Sequence, residues 1–493
     1  MNPLLADLLS SLDTTPRPVD RGAIIKAWEF ADLAHTGQKR KSGEPFIIHP
    51  TQIGKTLALW NLDTTAIVAG LLHDTVEEGG ATREDLLKEF GPETSQLVEG
   101  VTKITDIHLK GGSKEESLEN LRKIILVMAK DLRVVLIKLA DRLHNMQTLK
   151  YLDSQSQIDN SKETLEIYAP LAERLGMGEI KGQLEDLSFP YVYPNEYSAL
   201  LKQTKKLFSQ GEVYITKFQH ELLSLLKPKI PGVIINIRHK HLYSLFKKLQ
   251  RPEVNQNLNE VHDLVAARVL VNTVEDCYLA LGLIHGKYHP VPYLGVSDFI
   301  ANPKPNGYRS IHTKIFGPEG RIVELQIRTH QMHEEAEMGL AAHWQMSQLK
   351  STGQLTSEDI DKGRFQVGNK LSWVKQLAAW QAEITDNEEY LTTLKFDALQ
   401  HRNLVFSPIG DVYDLPRGAT PIDYAYAIHT DLGHQAAGAK VNGKLVPLNH
   451  RLVNGDVVEI IIDRKRRSPS HEWLDFVVTT TARHQINRAL KLL

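Results

Sequence analysis

Cysteine is nearly absent from this chain of 493 residues: Cys277 is the single thiol. One thiol excludes an internal disulfide and a cysteine-rich zinc site, and it fits a reducing compartment. Long hydrophobic runs are missing as well, with no apolar stretch near the ~20 residues that span a bilayer. Neither sign of charge is in excess, since 58 Lys and Arg face 60 Asp and Glu for a net charge of −2. A globally basic surface for DNA is therefore excluded, and any anion site must be built locally. The opening MNPLLADLLSSLD has no basic segment and carries Asp7 early, which makes it a poor secretory signal. A cytoplasmic protein without membrane or DNA partners is expected. Its length suggests about three domains.

Periodicity divides the chain into a multidomain α and α+β protein. Residues 1–195 read as nearly all helix, in IIKAWEFADLAH, TAIVAGLLHDTVEE, LENLRKIILVMA and VVLIKLADRLHNMQTL. Pro190 and Pro194 in SFPYVYPNEY break that pattern and suggest a boundary. Residues 196–345 read as mixed α/β, with β-type runs at VIINIRHK, LVAARVLV and RIVELQIRT. Residues 346–400 read as a helical connector. Residues 402–463 read as a small β-grasp module whose Asn442-Gly443 pair signals a hairpin. Residues 464–493 form a tail that begins a helix.

Two clusters carry chemistry. The first lies in LLHDTVEEGG, where charged residues follow an apolar run. Read as a helix, it stacks His73 on Glu77 and Asp74 on Glu78. With His49 of FIIHP and Asp141 of KLADRLHN this makes a His₂Asp₂ set, suited to Mn²⁺, Fe²⁺ or Zn²⁺ with a position open to water. Glu77 and Glu78 could orient that water or take its proton. The second lies in RHKHLYSLFKKL, where Arg238, Lys240, Lys247 and Lys248 crowd a strand-to-helix junction and Ser244 shares a face with Lys248. Such a junction suits a polyphosphate or is simply a solvated basic helix. RIVELQIRT alternates, with Glu324, Gln326 and Arg328 on one face. Asp263 opens a neighbouring strand, and with Glu324 it could hold Mg²⁺. In the loop NPKPNGYRSIHT, Lys304 and Arg309 bring charge, His312 a ring, and Tyr308 a face for a base.

The strings RKSGEPFIIHP, HDTVEE and KLADRLHN, in that order, resemble the HD-type hydrolase domain of the RelA/SpoT homologues. DFIANPKPNGYRSIHT, ELQIRT and MHEEAEMGLAAHW resemble the synthetase domain of the same family, whose fold is related to nucleotidyltransferases. Residues 402–463 resemble its TGS domain. The resemblance implies an enzyme that transfers pyrophosphate from ATP to the 3′-OH of GTP or GDP, releasing AMP, and that hydrolyses the product (p)ppGpp. It implies Mn²⁺ on His49, His73, Asp74 and Asp141, catalytic carboxylates at Glu77 and Glu78, and nucleotide contacts from Arg40, Lys41, Ser42 and Asn145. In the synthetase it implies Arg238 packing on adenine and ATP-phosphate contacts from Lys240, Ser244 and Lys248. Mg²⁺ falls on Asp263 and Glu324, with Glu324 as base, and the acceptor on Tyr308, Lys304 and His312. His429 would meet the 3′ end of uncharged tRNA.

Three positions depart from the family's pattern. Glu78 replaces an Asp, Gln147 an Arg, and Ser297 in GVSD a residue that is charged in the family. Two alternatives therefore stand beside the bifunctional reading: a hydrolase with an impaired synthetase, and a non-catalytic nucleotide or tRNA sensor. Because the chain stops at Leu493, shortly after the TGS match, ribosome-dependent activation is not expected.

Overall fold

A computed structural model describes residues 2–13, 18–105, 127, 130–250, 265–292, 295–304, 307–339, 402–409, 411–453, 455–463, 465–466 and 468–491. The helix expected in LENLRKIILVMA and the connector expected at 346–400 lie largely or wholly outside these residues. The described chain forms two compact units, the second holding residues 402–491 together with 298–309.

The first unit begins with helices α1 (Pro3–Leu12), α2 (Arg21–Ala34), α3 (Ile48–Leu59), α4 (Thr64–Leu72), α5 (Arg83–Thr105) and α6 (Leu132–Gln147). Aspartates start several of them. The Asp20, Asp63 and Asp131 side chains accept the backbone N–H of Ala23, Ala66 and Arg133 and satisfy amides that the first helical turn leaves open. α4 is apolar all round and buried from Ala66 to Leu72, so it forms the centre of the bundle, against α2, α3 and α5. α6 is the polar exception within this core, with Arg133, Lys138, Asp141 and Arg142 buried along it.

A second layer follows: α7 (Ser154–Glu163), a π-turn (Thr164–Tyr168), α8 (Ala169–Arg174), α9 (Gly178–Val192) and the 33-residue α10 (Pro194–Leu226). The proline break is shorter than expected. Pro190 lies inside α9, and only Tyr193 interrupts the helices before Pro194 starts α10. Phe189 and Tyr193 belong to an aromatic cluster with Tyr197, Tyr243 and Phe246, which holds the segment in place.

The mixed domain contains β1 (Ile234–His239), α11 (Leu242–Leu249), β2 (Val265–Val271), α12 (Val274–Lys287), β3 (Val296–Asp298), β4 (Ile311–Phe316), β5 (Ile322–Thr329) and α13 (His330–Met338). The sheet order is β1-β2-β5-β4-β3, with β2 and β5 parallel and the β1–β2 and β4–β5 pairs antiparallel. The three β-type runs fall on β1, β2 and β5.

In the second unit β6 (Arg402–Phe406) pairs β7 (Val412–Pro416), helices α14 (Pro421–Ile428) and α15 (Thr430–His434) follow, and β8 (Ala436–Val441), β9 (Lys444–Val446) and β10 (Val458–Ile462) form a sheet ordered β10-β8-β9. Asn442 and Gly443 join β8 to β9 with φ of 52° and 78°, the left-handed pair that a tight hairpin requires. The final segment packs onto this module. Trp473, Val477 and, from α16 (Thr480–Lys491), Ala482 and Ile486 bury against Ile422, Tyr426 and Ala436.

Candidate functional site

The first cluster is assembled by the start of α3, the end of α4 and the middle of α6. The helix expected through HDTVEE stops at Leu72, with His73 as its C-cap and turns through residue 78. Side chains displace the helical ladder there. His73 Nδ1 donates to Gly70 O at 2.9 Å, and Thr75 donates to Leu72 O through both its N–H and its hydroxyl. The segment is a run of turns in which Glu78 keeps one i,i+4 bond, its N–H donating to Asp74 O at 2.8 Å, and both Glu77 and Glu78 are exposed.

His49 Nε2 lies 3.4 Å from Asp74 and 3.3 Å from Asp141, and His73 Nε2 lies 3.0 Å from Asp74. Ligand atoms of His49, His73 and Asp141 lie within 4.8 Å of one another, all three residues buried, and form a possible metal site. The partners also set the tautomers. Arg40 donates to His144 Nδ1 at 3.0 Å, which makes that nitrogen an acceptor, so His49 Nδ1, 2.8 Å away, is the donor between the two rings. Both histidines thus present a bare Nε2, and His73 Nε2 is buried without a hydrogen-bond partner. Two imidazoles and two carboxylates converging through unprotonated nitrogens fit a divalent cation. Without one, burial disfavours the His73 imidazolium, but Asp74 and Asp141 outweigh burial and push its pKa up to about 9. Burial works against ionised Asp141, and Lys138 and His49 overcome it and hold the carboxyl well below its usual range.

A shell surrounds the ligands. Lys138 Nζ donates to Asp141 Oδ2 at 2.6 Å, Asn145 Nδ2 donates to Asp141 Oδ1 at 2.6 Å, and Arg40 donates to Asn145 Oδ1 at 2.7 Å. Arg40 and Asn145 were singled out on sequence and adjoin the ligands. Lys138 and His144 were missed, although their spacing of three from Asp141 on one helix was the available signal. Burial first, then His49 and Arg40, push His144 down to about 3. Lys41 is exposed, Ser42 donates to Glu44 at 3.0 Å, and Gln147 is exposed.

In the mixed domain Val323, Leu325 and Ile327 are buried as expected. The opposite face carries Glu324, Gln326 and Arg328, but Arg328 does not line an open site. It is buried beneath α13, 2.7 Å from His333 and 3.0 Å from Glu337. Glu324 lies 3.4 Å from His312 and beside Ala266 of the parallel strand β2. Asp263 lies outside the described residues. Arg268, absent from the sequence reading, shares this face and pairs with Glu337 at 3.2 Å.

At the start of α11 the structure adds carboxylates. Asp186 of α9 accepts the Tyr243 N–H at 2.9 Å, and the Ser244 hydroxyl donates to Glu185 at 3.3 Å. Lys240 and Lys248 are half-buried, and Arg238 pairs with Ala266 in register. Within residues 298–309, Lys304 Nζ sits 5.2 Å from the Tyr308 ring centroid and 4.6 Å from that of Phe299. Ser297 is exposed on β3. His429 is exposed and caps α15, its Nδ1 accepting the Asp431 N–H at 3.2 Å. Among the described residues no helix is long and apolar enough to cross a membrane.

A buried His₂Asp₂ centre on helices and a mixed sheet with a polar face define a chain with two distinct candidate catalytic domains. Residues 27–178 match the HD domain, 237–350 the region found in RelA / SpoT proteins, and 404–462 the TGS domain. The chain is 44% identical to the GTP pyrophosphokinase of Myxococcus xanthus over 96% of its own length and 61% of that protein. It is 43% identical to the guanosine-3′,5′-bis(diphosphate) 3′-pyrophosphohydrolase of Aquifex aeolicus over 95% of its length and 64% of that protein. It is 40% identical to the bifunctional (p)ppGpp synthase/hydrolase RelA of Mycobacterium tuberculosis over 99% and 65%. The chain thus carries an HD domain, the region found in RelA / SpoT proteins and a TGS domain in that order, and it spans about three fifths of the length of the curated relatives it matches.

Proposed function

We propose that the chain is a bifunctional alarmone enzyme. It transfers the β,γ-pyrophosphate of ATP to the 3′-OH of GTP or GDP, releasing AMP, and it hydrolyses (p)ppGpp to GTP or GDP and pyrophosphate. The carrying observation is the convergence of His49, His73, Asp74 and Asp141 with Arg40 bonded to the same network through Asn145. A cation centre with a guanidinium beside it fits a substrate whose scissile group is an anionic pyrophosphate.

Mn²⁺ held by these four residues would supply a water of lowered pKa. Arg40 and Asn145, with Lys41 and Ser42, hold the nucleotide, and Glu77 and Glu78 take up the proton. In the synthetase the 3′-oxygen bonds to the β-phosphorus of ATP as the bond from that phosphorus to the oxygen bridging it to the α-phosphate breaks, and AMP leaves with the bridging oxygen. Glu324 accepts the 3′-OH proton, and with Asp263 it would hold Mg²⁺, which would neutralise charge on the ATP phosphates. Arg238, Lys240, Ser244 and Lys248 hold ATP, and Tyr308, Lys304 and His312 the acceptor, so catalysis rests on alignment and charge neutralisation. Uncharged tRNA is the proposed partner of His429, and the cytoplasm the proposed compartment.

One observation favours the hydrolase-dominant alternative: carboxylates of α9 already occupy the start of α11. Two assays separate the readings. AMP release from ATP, GTP and Mg²⁺, against a GTP-free control, reports synthesis. Pyrophosphate release from ppGpp with Mn²⁺ reports hydrolysis. Both activities are expected in the wild type, with hydrolysis lost and synthesis kept in His73→Ala. GTP-dependent AMP absent from the wild type would leave only the hydrolase, and hydrolysis surviving in His73→Ala would overturn the metal-site assignment.

A further inference from the structure

Strand register lays the polar face of the mixed sheet out in rows. One row places Ala266, Glu324 and Lys314 side by side on β2, β5 and β4, and the next places Asn236, Arg268, Gln326 and His312. Residues paired across neighbouring strands present their side chains to the same face. The cations on this face are not equivalent. Arg268 and Arg328 are committed to Glu337, at 3.2 and 3.0 Å. Lys314 is half-buried and has no hydrogen bond or ion pair from its side chain among the described residues. Although it stands opposite Glu324, the carboxylate lies 3.4 Å from His312 instead. Beside it, Gln326 Oε1 is buried without a hydrogen-bond partner. An uncommitted ammonium and an unsatisfied amide oxygen flanking a carboxylate are the donor and acceptor of a polar ligand subsite.

Position in the sheet says which ligand. Adjacent strands lie about 4.8 Å apart. Lys314 is one strand beyond Glu324, on the side away from β1 and α11, where the proposed ATP contacts lie. The outer strand β3 brings the uncharged Ser297 to that edge. Resting on the synthetase reading above, we propose that Lys314 is a specificity-determining residue that pairs with the 5′-phosphate chain of the acceptor nucleotide.

Calorimetric titration of GDP without ATP tests this, run beside the AMP assay. Lys314→Met is expected to weaken GDP binding about 10-fold or more, the loss of a charge-assisted contact. It raises the acceptor KM in step, with the ATP KM and the melting temperature unchanged. Lys314→Arg keeps the charge and most of the affinity. GDP binding by Lys314→Met equal to wild type, or a loss confined to the ATP KM or to kcat, overturns the proposal. Wild type that binds GDP but releases no GTP-dependent AMP refutes the synthetase reading alone, because the binding comparison still decides Lys314. Wild type that does not bind GDP refutes both.

Discussion

The His241 ring lies 2.7 Å from the Asp186 carboxylate through Nδ1, while the other oxygen of Asp186 accepts the Tyr243 N–H. The pair joins α9 to the first turn of α11. The joint is close-packed, since a Cβ on Gly182 of α9 would meet the His241 ring at 2.3 Å.

This joint titrates. Burial disfavours the His241 imidazolium, but hydrogen bonds and charge from Asp186 and Glu179 outweigh burial and push its pKa up to about 9 from an ordinary 6.5. Glu185 and Lys181 of the same helix lie 3.9 Å apart nearby. A folded-state pKa above the unfolded one means that the stabilisation is full below about 6.5 and is lost as the pH rises through about 9. His241→Gln is therefore expected to melt below wild type at pH 6, with the gap closing by pH ~9.5. Melting curves across that range check it, and a pH-independent gap would assign the effect to packing alone.

Lys138 and Asp141 form a buried pair beside His49 and His73, with side chains 8% and 5% exposed. Removing one member of such a pair strands the other, at a cost of about 3–5 kcal/mol. Lys138→Met is expected to melt several degrees lower in EDTA, and the deficit should shrink when Mn²⁺ restores positive charge beside Asp141. Differential scanning fluorimetry with and without metal measures both terms. An equal deficit in the two conditions would show that Lys138 acts only as packing.

Much of this was legible in residue order. The run TTAIVAGLL gave a buried helix, the alternation Val323, Leu325, Ile327 gave a strand, and His49, His73, Asp74 and Asp141 converge as their chemistry suggested. What remained hidden depends on tertiary partners. The end of α4 at Leu72 follows from side chains competing for Gly70 O and Leu72 O. Arg328 looks like a site residue on the strand and becomes structural only once α13 places Glu337 beside it. The carboxylates that meet Ser244 and Tyr243 come from a helix more than fifty residues earlier, outside the reach of any local pattern.

Asp423 shows the same kind of dependence in the C-terminal unit, where one fully buried carboxylate serves two helix starts. Its Oδ2 accepts the N–H and hydroxyl of Thr420 at 2.8 Å, a capping box for α14. Its Oδ1 accepts the N–H groups of Val478 and Thr479 and the Thr479 hydroxyl, at 2.9, 2.7 and 2.8 Å, immediately before α16. An amide cannot replace it, because whichever side receives the NH₂ faces donors with a donor. Asp423→Asn is expected to cost about 2–4 kcal/mol, from buried groups left unpaired. The loss should be local: backbone hydrogen exchange should quicken in α14 and α16, while ppGpp hydrolysis by the helical domain stays at the wild-type rate. Unchanged exchange in α16 would mean that the hydrophobic contacts of Trp473, Ala482 and Ile486 hold that helix without the carboxylate.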